Sequence, residues 1–342
     1  MGRTRRLFKS IDDYLGSGET RFFASGYRRA QYQVADIVLV PAGDPGPSVV
    51  AMVSVRYPAD WSTKADRSDL RPHLSTVDML VLSVQLSEAH LSHSYGLDPD
   101  LRKTMWLRKV SLRAGSAPQE DLAGLVGSAT HRSTEPLSGS AGGFISTYDC
   151  VIGTMRASCE IVHPVGQPAR EGRRHESLDG ALGPAASRYY GDGFKLRRHV
   201  IEDVTVDIDA LRASANVQVR SLPGGQLVTD GVDGAWQPAV SAVDCFVANL
   251  QLAQVLLYEL DSIRREDSNT LWMLKTTLEI ASPPQRCISV LPAEAAITKK
   301  YLVPLRGAQW RNVDINGTLG NVILRSSFAH EIPSNLATGT DG

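Results

Sequence analysis

Two short motifs stand out for the chemistry they could do. Ser75-x-x-Asp78 and Ser241-x-x-Asp244 each open an apolar run with helical spacing. In the plain reading they are capping boxes. The Ser oxygen satisfies a free amide at the helix start, and the Asp answers from the third position. The carboxylate also suits the positive end of the helix dipole. In the sharper reading Asp78 or Asp244 is a general base or nucleophile beside a bound thioester, whose carbonyl oxygen the free helix amides stabilise. Ser75 and Ser241 then belong to the substrate mouth. Gln85 and Gln251 follow seven residues after the Asp, on the same side of the helix. An amide on a buried helix needs hydrogen-bond partners. Those are either groups of the sheet, or a substrate or catalytic water.

The two stretches differ at positions that also bear on chemistry. The first carries His73, Glu88 and Arg108 where the second has Ala239, Gln254 and Leu274. A buried Glu or Arg must be paired or functional, and Glu88 and Arg108 could pair with each other. The alternative is a site in which His73 with Asp78 does acid–base work on a carbonyl substrate. Arg108, on the strand face of Trp106, would then hold an anion.

These residues lie in a chain that repeats itself. Laying Pro72–Pro118 over Pro238–Pro284, at an offset of 166, makes fourteen of 47 positions identical. Chance gives about three at ordinary composition. Arg21-Phe22-Phe23 and Gly26-Tyr27-Arg28 match Arg188-Tyr189-Tyr190 and Gly193-Phe194-Lys195. The aromatic and basic mix in these blocks reads as packing with basic residues outside. The expected organisation is an N-terminal segment 1–15, a unit 16–163, a solvated linker 164–182, a second unit 183–332 and a flexible tail 333–342.

Each unit reads as strands, one long helix, then more strands. β-branched runs at 36–40 and 49–57 are strands. Val77, Leu80, Val81, Val84 and Leu91 recur at helical spacing from Ser75, and Val243, Phe246, Val247, Leu250 and Leu257 do so from Ser241. Leu82, Leu86 and Ala89 fall outside that stripe, so the helix is apolar nearly all round and therefore buried. Period two places Trp106, Val110 and Leu112 on one face of a following strand, and Trp272, Leu274, Leu278 and Ile280 on its counterpart. One buried helix wrapped by a long antiparallel sheet is the hot-dog arrangement. Two units make an α+β double hot-dog, and tandem α+β domains of another kind are the competing reading.

Composition narrows the function. Lys and Arg number 36 against 37 Asp and Glu, which argues against a nucleic-acid partner. No unbroken apolar run approaches 18 residues, so no membrane span is expected, and the basic start lacks a secretory core. Cys150, Cys159, Cys245 and Cys287 show no CxxC spacing, which disfavours zinc and disulfides and fits a reducing cytoplasm. P-loop, GxGxxG, HExxH and GxSxG motifs are missing from the sequence. No cofactor is expected.

The opening Ser10-Ile11-Asp12-Asp13-Tyr14-Leu15-Gly16, with Arg21-Phe22-Phe23-Ala24-Ser25-Gly26-Tyr27-Arg28-Arg29, resembles the avirulence D (AvrD) family. The likeness runs through Ser75-Thr76-Val77-Asp78 toward the C-terminus. It implies an enzyme of syringolide-type signal biosynthesis, which joins a β-ketoacyl thioester to a ketopentose such as xylulose. The tandem layout also resembles the A-factor synthase family, which transfers a β-ketoacyl group to dihydroxyacetone phosphate. The partners expected are an acyl thioester on coenzyme A or an acyl carrier protein, and a sugar or hydroxy-ketone acceptor. The chain would act as a pseudo-twofold monomer or a homodimer. A hot-dog thioesterase or hydratase, and a non-catalytic acyl-binding protein, remain open.

Overall fold

The computed structural model describes residues 5–41, 46–61, 71–139, 142–169, 171–263, 271–284, 286, 289–305 and 308–332. Cys287 and the expected tail 333–342 lie outside the described residues.

Alternating apolar residues make strands that join into one 14-stranded antiparallel sheet. Its first half holds β2 (Gln31–Leu39), β3 (Val49–Arg56), β4 (Trp106–Arg113), β5 (Leu125–Pro136), β6 (Phe144–Ile152) and β7 (Met155–His163). Its second half holds β9 (Arg197–Asp207), β10 (Arg212–Ser221), β11 (Trp272–Ile280), β12 (Leu291–Leu305), β13 (Ala308–Leu319) and β14 (Val322–Ile332). The edges are β1 (Arg5–Ser10) and β8 (Arg173–Ser177). The order is β1-β9-β10-β12-β13-β14-β11 followed by β4-β7-β6-β5-β3-β2-β8, so both ends read inward with the same succession of elements. The halves join where β11 pairs with β4, with Leu278 opposite Val110.

Both edges come from outside the expected units. β1 pairs with β9 of the second half, and β8 pairs with β2 of the first. The stretch expected as a solvated linker therefore carries β8 and the short helix α4 (Leu178–Leu182). Its composition misleads because an edge strand has one side in water and wears charge there, here Arg173, Arg174 and Glu176. At the other edge, β1 is followed by the short α1 (Asp12–Leu15).

Each half wraps a long helix: α2 (Thr76–Ser94) in the first, α5 (Ala242–Asp261) in the second. The short α3 (Pro99–Arg102) follows α2. Both long helices are buried nearly all round, as their lack of a polar face requires. This is the double hot-dog arrangement, of α+β class. Averaged over a window, α5 reaches a mean hydropathy of 1.2, enough by composition and length to cross a bilayer, but 83% of that window is buried inside the protein. It serves here as a core helix.

The two halves hold each other through a mirrored clasp. The Arg21 Nη1 donates to Gln251 Oε1 on α5 at 2.7 Å, while its other end-nitrogen pairs with Asp12. The Arg188 Nη1 donates to Gln85 Oε1 on α2 at 3.4 Å, and its Nη2 meets Asp179 at 3.3 Å. Tyr27 and Phe194 stack between the halves at 6.4 Å.

The period-two reading of β4 and β11 fails at one point in each. β4 carries a bulge between Leu107 and Lys109, and β11 one between Met273 and Lys275. An extra residue turns the following side chains to the other face. Trp106 and Leu107 both point inward, and Arg108 turns outward. In β11 Met273 is buried, while Leu274 is 42% exposed rather than on the inner face.

At the far end of α2, three histidines are held neutral. His90 Nδ1 lies 2.6 Å from the Tyr148 hydroxyl, and its Nε2 donates to the Val40 carbonyl at 3.0 Å. The His131 ring stacks on His90. His163 donates from Nδ1 to the Pro164 carbonyl and accepts from Ser146 at Nε2. Burial lowers the basicity of all three, taking His90 to about 4. Above about pH 6.5 these rings are neutral in folded and unfolded chain alike. As pH falls, the unfolded chain takes up protons first, so stability drops from there toward pH 4. His90 alone accounts for on the order of 3 kcal/mol. The urea midpoint should therefore fall between pH 7 and pH 5, and H90Q should flatten that slope. An unchanged slope in H90Q would contradict the assignment.

Candidate functional site

The Ser75 side chain caps α2 by accepting the Asp78 amide at 3.2 Å, and the Asp78 carboxylate takes the Ser75 amide at 2.7 Å. This leaves the amides of Thr76 and Val77 with no acceptor among the described residues. Orphan amides at a helix start carry partial positive charge. Beside them opens a cavity of about 350 Å³ between the α2 start and one side of α5. Its polar rim carries His73, Ser75 and Thr76. Its walls are apolar: Phe22, Phe23 and Trp61 on one side, Phe246 and Leu250 of α5 opposite, and Met273 with Phe328 from the sheet. His73 is half-buried and meets the Trp61 ring edge-on at 6.3 Å. Thr76 Oγ1 donates to Met273 Sδ at 3.1 Å, which fixes the helix start against the sheet.

The carboxylate caps are held differently in the two halves. Asp78 is fully buried and accepts from the Tyr32 hydroxyl at 2.8 Å and from the Tyr57 hydroxyl. Burial raises its pKa, and these neutral donors only partly offset the rise. Asp244 accepts from His199 Nε2 at 2.8 Å and from the Ser241 amide and hydroxyl at 2.9 Å, with Arg197 at 3.2 Å. Burial pushes its pKa up as well, but the Arg197 guanidinium and His199 outweigh it and hold the carboxyl at about 2. Neither Asp78 nor Asp244 lines the cavity.

The other expected site residues divide in the same way. His73, Ser75 and Gln251 face the cavity. Gln251 spends its amide on Arg21, the Phe23 carbonyl and the Val247 carbonyl, so it works as part of the clasp. Gln85 is buried away from the cavity against Arg188. Ser241 is buried under its own cap. The bulge carries Arg108 outward to Glu160, which it meets at 2.6 Å. Glu88 consequently faces Arg102, at 3.7 Å, and Arg188 instead of Arg108.

At the α5 start, the chain's own residues 230–237 fill the space between the cap and the Gln85 and Glu88 side of α2. Gly231 packs so close to Glu88 that a Cβ there would come within 2.8 Å of its Oε1. Arg102 Nη2 binds Asp230 at 2.7 Å, and the Gln237 side chain accepts from Arg197 at 2.7 Å. Asp233 accepts from the Leu107 amide at 2.9 Å and the Tyr190 hydroxyl at 2.8 Å. Burial raises its carboxyl to about 7 against those two hydrogen bonds. An acid with a raised folded-state pKa stabilises fully below its ordinary value near 3.9 and loses that contribution as pH rises toward 7. D233N should thus be more stable than the parent by about 4 kcal/mol at pH 8. The two should converge at pH 4 by urea unfolding, and equal stability at pH 8 would refute the buried-acid assignment. Asn also tolerates the left-handed backbone there, φ +64°.

Several of these groups escape a reading of the sequence alone. Tyr32, Tyr57, Arg197 and His199 reach their carboxylates across 21 to 47 residues of chain. Trp61, beside His73, carries no local motif. Arg21 does carry a signal, its alignment with Arg188, but its partner sits in the other half.

Fold and site together define a hot-dog protein whose cavity opens at one helix start. The chain belongs to the AvrD family: the model of the Pseudomonas avirulence D protein (AvrD) matches residues 6–333. No curated protein matches the sequence. Solved structures of similar fold include a hot dog protein of unknown function from Alicyclobacillus acidocaldarius, with TM-score 0.36 and 9% identity over 85% of this chain and 95% of that one. The 12:0-ACP thioesterase from Umbellularia californica gives 0.38 and 12% over 90% and 99%. The dehydratase domain from the CurJ module of curacin polyketide synthase gives 0.33 and 11% over 87% and 98%. Likeness at this level carries no chemistry across. Among the described residues, no group of three or more His, Cys, Asp or Glu is placed to hold a metal ion.

Proposed function

We propose that the chain is an acyl-thioester-dependent acyltransferase of condensing type. It joins a β-ketoacyl thioester to a small hydroxy-ketone or a ketopentose such as xylulose, giving a syringolide- or butenolide-type acyl lactone signal. The observation that carries this reading is the cavity with a helix start at its polar rim and aromatic and aliphatic walls along α5. Family membership supports it. The mirrored strand order and paired caps support reading the chain as two copies of one unit, of which the first offers the working mouth.

The acyl chain lies along the apolar wall, and the thioester carbonyl oxygen receives the Thr76 and Val77 amides. Charge that develops there on attack is stabilised by donors already in place. His73 takes the acceptor's hydroxyl proton as its oxygen bonds to the acyl carbon. The carbon–sulfur bond then breaks, and the thiolate leaves with that proton. Closure follows when the acidic carbon between the two carbonyls adds to the acceptor's ketone. Asp78 acts as a positioning residue that keeps the helix mouth in place, and Asp244, Ser241, Gln85 and Arg108 act away from the reacting atoms. Coenzyme A or an acyl carrier protein enters as the thioester carrier, and no cofactor is needed.

The test is mass spectrometry of organic extracts from cells with and without the gene. A new β-ketoacyl-derived lactone is expected. Identical extracts would overturn the transferase reading, and accumulation of free β-keto acid alone would replace it with a hydrolase.

A further inference from the structure

We infer that Gln254 is the residue that recognises the hydroxyl-bearing acceptor; this rests on the proposed transferase reaction. Gln254 stands one helical turn beyond Gln251 on α5 and lines the same cavity. The two amides differ in what is left of them. Gln251 is fully engaged by Arg21 and two carbonyls. Gln254 has no hydrogen-bond partner among the described residues, and it is half-buried among apolar walls. A primary amide offers two donors and an acceptor. One left unmet in a mostly apolar pocket is the kind of group that orients a ligand and confers specificity.

The other half offers a comparison. Glu88 follows Asp78 by ten residues, as Gln254 follows Asp244. At Glu88 the facing space is filled by the Asp230–Asp233 segment, with Gly231 packed on the carboxylate. At Glu88 the position is thus taken by the chain itself, while Gln254 lines the cavity with its amide unengaged. A ketose or hydroxy-ketone suits the two donors and one acceptor of a free amide at that position. Gln254 would donate to the acceptor's carbonyl or hydroxyl oxygen and accept from a neighbouring hydroxyl, setting that molecule beside His73.

The near-isosteric Q254M removes the amide and keeps the packing. With a β-ketoacyl-coenzyme A and xylulose, the acceptor KM should rise about tenfold, as losing one or two neutral hydrogen bonds implies, while the thioester KM holds. Equal acceptor KM in both proteins would overturn the assignment. Saturation-transfer NMR of xylulose on the unreacted protein separates this from failure of the transferase reading. A signal lost in Q254M supports the site even where no lactone forms. No signal in the parent protein, or one that Q254M retains, rejects it. Thermal unfolding of Q254M within about 2 °C of the parent excludes misfolding.

Discussion

Replacing Asp244 with alanine is expected to lower the free energy of unfolding by about 3–5 kcal/mol, among the largest losses any single side chain here can cause. The cause is what remains. Arg197 and His199 stay buried, and the guanidinium keeps its charge with only neutral acceptors around it: Gln237, the Ala239 carbonyl and Tyr189. The equivalent change at Asp78 leaves two neutral tyrosine hydroxyls and should cost about 1–3 kcal/mol. Urea unfolding of the two variants at pH 7 makes the comparison, with unchanged m-values confirming that stability alone has moved. The pH dependence gives a second handle. A carboxyl held at about 2 stabilises above its ordinary value near 3.9, and the contribution disappears as pH falls through 2. The gap between parent and D244A should therefore narrow in acid. Equal losses for D244A and D78A would show that the charged character of the second cap has been misjudged.

Replacing His73 with alanine should have the opposite profile. The proposed reaction loses its proton acceptor, and turnover should fall by about 10²–10⁴-fold. Stability should barely move, because the ring is half-buried and meets only the edge of Trp61 among the described aromatic rings. Steady-state rates of thiol release in the presence of acceptor, beside a thermal melt, measure both. Turnover within threefold of the parent would remove His73 from the chemistry.

The helices and their caps were readable from residues because their causes are local. Ser75 and Asp78 interact across three residues, and an all-round apolar pattern admits only a buried helix. The order of elements in each half followed from period and turn signals. What escaped depended on distant chain. Nothing in Arg173–Ser177 marks it as the edge of the first half's sheet, since an edge strand looks like a polar loop. The bulges in β4 and β11 insert one residue without a sequence signature, which is why Arg108 and Leu274 were expected on the wrong face. The candidate site was half legible for a related reason. His73 and Ser75 sit at the helix mouth by sequence position alone. Whether a mouth is filled depends on how the segment before the helix folds back across it, which no local pattern states, and residues 230–237 fill it at α5.

In the proposed reaction, acyl chains enter the cavity at the α2 start and lie along α5. The direct measurement is photolabelling with a β-ketoacyl-pantetheine analogue carrying a diazirine at the end of its tail, followed by digestion and mass spectrometry. Label is expected on Phe246, Leu250, Met273 or Phe328, suppressed by excess unlabelled thioester. Label concentrated on residues 230–237, or scattered over the outer face of the sheet, would contradict that placement.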